Sequence, residues 1–162
     1  SRGRSSHAFA QTRDPDWLRD SLRASAEVGP VGAVVVTLRT IGVGHAMPTG
    51  DLFRRLEVGA ERRDAGGAVI QRDVRFLGRQ LESRGGLGGR TLVRDDRLRD
   101  EPVEIDLDVQ CPPASARGER VRWWVTYQRV AEIHRGDVPA EADIESEVLL
   151  HEGSSCDTRE AP

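Results

Sequence analysis

Hydrophobic and polar positions along this chain follow two periods, and the change from one to the other comes early. In "DPDWLRDSLRAS" (14–25), Leu18 and Leu22 are spaced one helical turn apart with Trp17 beside them, which predicts a short helix with one apolar stripe. Asp14 suits the N-cap, Pro15 the first helical position, and Asp16 the positive end of the helix dipole. "EVGPVG" (27–32) ends that helix.

From there the period is two. "GAVVVTLRTIGV" (32–43) is rich in β-branched residues and apolar almost throughout, which predicts a central strand. "LFRRLEVGAERRD" (52–64) places Leu52, Leu56 and Val58 on one side. Asp64-Ala-Gly-Gly67 reads as a hairpin turn into a strand through "VIQRDVRFLGRQL" (69–81). "PVEIDLDVQC" (102–111) is the cleanest alternation, with Val103, Ile105, Leu107 and Val109 inward and Glu104, Asp106 and Asp108 outward. "RVRWWVTYQRVAEI" (120–133) sets Val121, Trp123, Val125 and Tyr127 on one face and Trp124 on the other. "IESEVLLHE" (144–152) is the last strand. About six to eight strands after one short helix predict a mainly β chain, an immunoglobulin-like antiparallel β-sandwich, with a small barrel as the alternative. The predicted divisions are an arm and short helix over 1–27, a β-sandwich domain over 28–156, and a tail over 157–162.

Composition narrows the function classes. The chain has 162 residues, and its 24 basic residues are all arginine, set against 27 acidic ones. The net charge of −3 and the mixed signs argue against a nucleic-acid surface, which wants a basic stripe. Arg54-Arg55 and Arg62-Arg63 read as solvated strand edges. No window approaches the roughly 18 consecutive apolar residues of a membrane helix. The start "SRGRSSHAFA" has neither an initiator Met nor a signal-peptide core, and reads as a processed chain or a piece of a longer one. Cys111 and Cys156 form no CxxC or CxxCH motif. In an exported protein they read as one disulfide, and in a cytosolic one as two separate thiols.

Enzyme chemistry finds little to build on, and the chain is expected not to be an enzyme. There is no Gly-x-Ser-x-Gly elbow. His134 and His151 read as surface or packed residues. Asp95-Asp96 point apart in an extended segment, and the spaced acidic loop of a calcium site is missing. "GGLGG" (85–89) lacks the Lys-Ser/Thr of a phosphate-binding loop.

The exception is "GVGHAMPTGD" (42–51). Gly44 permits a turn or close approach, Pro48 holds Met47 extended, and Met-Pro-Thr-Gly fits a type I turn ending at Gly50. His45 is thereby aimed in one direction, which suits ligation of a metal or haem iron, with Met47 as a second soft ligand. The plainer alternative is that His45 bonds Thr49 or Asp51 and pins the turn.

With "RRLEV", Asp64, Gly66-Gly67 and "AVIQRD" after it, this stretch resembles the C-terminal haem-free β-domain of periplasmic multihaem c-type cytochromes, the tetrahaem and hydroxylamine-oxidoreductase-like group. "SSHAFAQTRDPDWLRDSL" (5–22) resembles that family's link from the last haem-binding motif, and "VRDDRLRDEPVEIDLDV" (93–109) its Asp-x-Arg-Leu stretch. The resemblance covers most of residues 5–130. It departs at one point: with no CxxCH, this chain holds no covalent haem of its own. The resemblance implies an electron-transfer setting in the periplasm or outside the cell. It also implies a partner that bears haem c, either a cytochrome domain or a separate protein, and His7 and His45 as candidate axial ligands to that haem. It favours the Cys111–Cys156 disulfide. A purely architectural cap over a haem domain fits equally well. The alternative from another class is a partner- or carbohydrate-binding sandwich module, favoured if Trp124 is exposed beside His45 or the "GGLGG" loop and disfavoured if it is covered by Trp17 and Leu22.

Overall fold

In the computed structural model of this chain, residues 14–50, 53–83, 90–113, 115–131 and 142–156 are described. One short helix, α1 (Pro15–Asp20), precedes eight strands: β1 (Leu22–Val28), β2 (Ala33–Thr40), β3 (Arg54–Arg63), β4 (Val69–Ser83), β5 (Arg90–Asp95), β6 (Val103–Gln110), β7 (Arg120–Val130) and β8 (Ile144–Ser155). They form two antiparallel sheets, ordered β1-β2-β6 and β5-β4-β3-β7-β8. The chain is thus a β-sandwich behind one helix, as its patterning predicts.

The helix starts as expected and stops sooner. The Asp14 carboxylate accepts from the amides of Asp16 at 3.0 Å and Trp17 at 3.4 Å. At the other end, Ser21 turns back to the Trp17 carbonyl through both its amide and its hydroxyl. From Leu22 onward the chain is strand rather than helix, which corrects the expected Leu18–Leu22 helical stripe. The reason is visible in "LRASAEV": Leu22, Ala24 and Ala26 turn inward while Arg23, Ser25 and Glu27 face out. Pairing of every β1 residue with β2, from Leu22 opposite Thr40 to Val28 opposite Val34, overrides alanine's helical preference. β5 is a second strand that the pattern did not reveal. It is six residues long and pairs only with the end of β4, Arg79 through Ser83.

The core lies between the sheets. Leu56, Val58 and Ala60 of β3 and Val121, Trp123, Val125 and Tyr127 of β7 meet Val34, Val36 and Leu38 of β2 and Leu107 and Val109 of β6. The alternation of β6 is as predicted, with its acidic residues exposed. β4 side chains reach across to the open edge of β6. Asp73 accepts from the Asp108 amide at 2.7 Å, and Gln71 accepts from the Gln110 amide at 3.1 Å. Two edge amides that would otherwise invite another strand are thereby satisfied.

The registers sort the connections into two groups. Leu22 lies opposite Thr40 and Leu38 opposite Val103, while Arg54 lies opposite Arg129 and Arg79 opposite Asp95. The β2–β3 connection, the segment after β5, and α1 therefore share one end of the sandwich. At the other end sit the Asp64–Gly67 hairpin and the disulfide between Cys111 and Cys156, with Cα atoms 5.5 Å apart. That bond ties the end of β6 in one sheet to the end of β8 in the other.

Candidate functional site

The loop after β2 is anchored through its methionine. Met47 and Leu98 exchange backbone hydrogen bonds, Met47 N–H to Leu98 O at 2.8 Å and Leu98 N–H to Met47 O at 2.7 Å. Both side chains belong to the apolar core, Met47 at 3% exposure and Leu98 at 1%. Pro48 is buried behind them. The Met47–Pro48 peptide is cis. Left-handed backbone is taken by Gly42 (φ +65°) and Gly50 (φ +97°) rather than by Gly44.

His45 lies between these fixed points and is exposed. Among the described residues no hydrogen bond holds its ring, to Thr49 or to any other; Asp51 lies outside the described residues. An exposed imidazole two residues from a buried anchor can bond an external group. Met47 lies inside the core at 3% exposure while His45 is exposed, so the two candidate metal donors do not share an open face. Among the described residues no group of three or more His, Cys, Asp or Glu is placed to hold a metal ion. His7, His134 and the "GGLGG" stretch lie outside the described residues. His151 is half-buried on β8 opposite Val125, its Nε2 2.9 Å from the Leu22 carbonyl, so it ties β8 to β1.

The segment facing the loop is built on one carboxylate. Asp95 takes Arg97 in a two-pronged contact, Nε at 2.7 Å and Nη2 at 2.6 Å, and reaches the Arg99 guanidinium at 3.4 Å. The hydrogen bonds from Arg97 hold the Asp95 carboxyl down at about 2, and Arg97 is raised in return. Asp96 pairs separately with Arg94 at 2.6 Å, so the two neighbouring acids face different arginines instead of sharing a cation. Thr40 Oγ1 donates to the Arg99 carbonyl at 2.8 Å, tying the segment to the end of β2. The Asp-x-Arg-Leu stretch marked these residues in the sequence, Asp95 through Leu98, but not the contacts they make. A second signal was the mixture of arginines and aspartates from Arg94 to Asp100.

The arginine pairs expected at strand edges lie instead on β3, between β4 and β7. Arg54 donates to the Tyr127 hydroxyl at 3.0 Å, and Arg62 pairs with Glu119 at 3.1 Å. Arg55 donates to Gln128 at 2.8 Å and lies 4.0 Å over the Phe76 ring; burial lowers its pKa.

Neither tryptophan of β7 offers an open ring. Trp123 packs over Gly153, and Trp124 lies on Gly59 on the outer face, each under 9% exposed. The cover over Trp124 is its own sheet and Arg72, at 5.2 Å from the ring, rather than Trp17 and Leu22. Sugar recognition by stacking on these two indoles therefore has no surface to use. No helix among the described residues is long and apolar enough to cross a membrane.

No protein-family model matches this chain, and no curated protein matches it. Among solved structures it is similar to a penta-haem cytochrome c552 from Thermochromatium tepidum, with 20% identity and a TM-score of 0.59. The match covers 88% of this chain and 42% of the cytochrome's. At that identity the likeness is one of fold, and this chain spans less than half the cytochrome's length.

Proposed function

We propose that this domain is an accessory, non-catalytic module of a multihaem cytochrome electron-transfer system in the periplasm or outside the cell. It covers a haem-bearing domain or partner protein with the end of the sandwich that carries α1 and the β2–β3 loop, and it turns His45 toward the iron. The observation that carries this is the exposure of His45 on a loop whose neighbouring residue Met47 is locked into the core. Support comes from the fold likeness to a penta-haem cytochrome, from the sequence resemblance around the same loop, and from the disulfide, which suits an oxidising compartment.

The donor set fits this role in one respect and limits it in another. A neutral imidazole held outward is an ordinary axial donor to haem iron, whereas the buried Met47 thioether is not available for it. Haem, when bound by the partner, supplies the one-electron chemistry. The chain's own part is to present one nitrogen, exclude water from the covered face and hold both in register. His7 stays a second candidate on sequence grounds alone.

Titration with a ferric c-type haem peptide that has one open axial position tests the ligand role. The expected result is a low-spin bis-imidazole spectrum with the wild-type chain and with His7→Ala, lost in His45→Ala. If the spectrum survives in the His7→Ala/His45→Ala double variant, the axial role is wrong.

A further inference from the structure

We infer that Asp95 and Arg97 are positioning residues for His45, acting through the reciprocal Met47–Leu98 hydrogen bonds; this rests on His45 being the group presented to the partner. Leu98 sits between two arginines that return to the same carboxylate: Arg97 at 2.6 Å and 2.7 Å, Arg99 at 3.4 Å. Closing the chain on both sides of a residue fixes its peptide planes. Those planes carry the N–H and C=O that bond to Met47.

The brace is fastened on three sides. The Asp96 amide donates to the Gly78 carbonyl at 3.0 Å, which ties it to β4. The Thr40 hydroxyl holds the Arg99 carbonyl, which ties it to β2. The Leu98 side chain is sunk in the core. On the other flank the Ile41 amide donates to the Ser21 carbonyl at 2.9 Å, and beyond it a Cβ on Gly42 or Gly44 would meet nothing within 4 Å, so among the described residues the turn next to His45 is held from the Met47 side. Its direction is therefore set from Met47, and Met47 takes its own from Leu98. Asp95 and Arg97 are both largely covered, with side-chain exposures of 18% and 16%, so water competes weakly for the pair.

Amide hydrogen exchange on the full chain reads this separately from any haem chemistry. In Asp95→Asn and in Arg97→Met, exchange at Met47 and Leu98 is expected to speed up about tenfold while Val58 and Val125, in the centre of the large sheet, keep their rates. Arg97→Lys, which keeps the charge but loses the two-pronged contact, falls between. Affinity for the ferric haem peptide drops by a similar factor in the same variants, because a loosened loop must be ordered on binding.

Unchanged exchange at Met47 and Leu98 in both variants overturns the inference, and so does an equal rise at Val58 and Val125, which would make the pair a general support of the sandwich. If His45→Ala abolishes the haem-peptide spectrum while Asp95→Asn and Arg97→Met bind as tightly as wild type, the positioning role fails and the ligand role stands. If His45→Ala changes nothing but the selective exchange effect appears, the brace is real and the haem assignment fails.

Discussion

Glu57 accepts the indole N–H of Trp124 at 2.7 Å with one carboxylate oxygen, and with the other it accepts the Gln128 amide at 2.8 Å. Neighbouring strands β3 and β7 are thereby joined by side chains as well as by their backbone ladder, on the face turned away from the core. Gln128 is 1% exposed, and its own oxygen is taken by Arg55, so every polar atom in this chain of contacts depends on the next.

Replacing Glu57 with Ala is expected to destabilise the fold by about 2 to 4 kcal/mol, because two covered donors lose their acceptor at once. Glu57→Gln keeps one acceptor oxygen and costs less. Urea denaturation of the three proteins gives that order; equal midpoints for wild type and Glu57→Ala would show that water replaces the carboxylate without loss.

Gly59 carries Trp124 directly on its α-carbon, and a Cβ there would sit 2.3 Å from the ring. Gly59→Ala is therefore expected to cost about 1 to 3 kcal/mol by overpacking on a central strand. In a Trp124→Ala background most of that penalty disappears, which a double-mutant cycle of thermal or urea midpoints measures.

Breaking the disulfide by Cys111→Ser/Cys156→Ser frees a loop with a sequence separation of 45. The chain-entropy relation puts the loss at up to about 4 kcal/mol. The bond lies at the end of the sandwich opposite the His45 loop. Denaturation should therefore show the loss while the haem-peptide titration, done well below the unfolding midpoint, stays the same.

Asp95 also predicts a pH dependence. Its folded pKa of about 2 lies below the ordinary 3.8, so its ion pair adds stability that is fully present above the unfolded value. That contribution is lost as pH falls from about 4 through about 2. Selective loss of protection at Met47 and Leu98 in that window, absent in Asp95→Asn, is the expected outcome of exchange measured across acid pH.

Local alternation was enough to locate β6, where Val103 to Val109 turn in and Glu104 to Asp108 turn out. It also located β7, where four inward residues are all buried, and the hairpin closed by Asp64 and Gly67. With two cysteines in the chain, a disulfide had one possible pairing. Leu22 was ambiguous because a spacing of four suits a helix and the Leu22-Ala24-Ala26 spacing suits a strand; pairing with β2 decided it. β5 was hidden because six residues offer too little pattern, and its partner is the far end of β4.

The mainly β character, most of the strands and the glycine-flanked histidine loop were legible in the sequence alone, because period and turn chemistry are properties of neighbouring residues. Tertiary structure decided that Met47 is buried and bridged to Leu98, that Trp124 rests on Gly59, and that Asp95 and Arg97 stand behind Leu98. Each of these depends on which distant segment arrives opposite a residue. Burial and hydrogen-bond partners come from that meeting, and no local spacing encodes it.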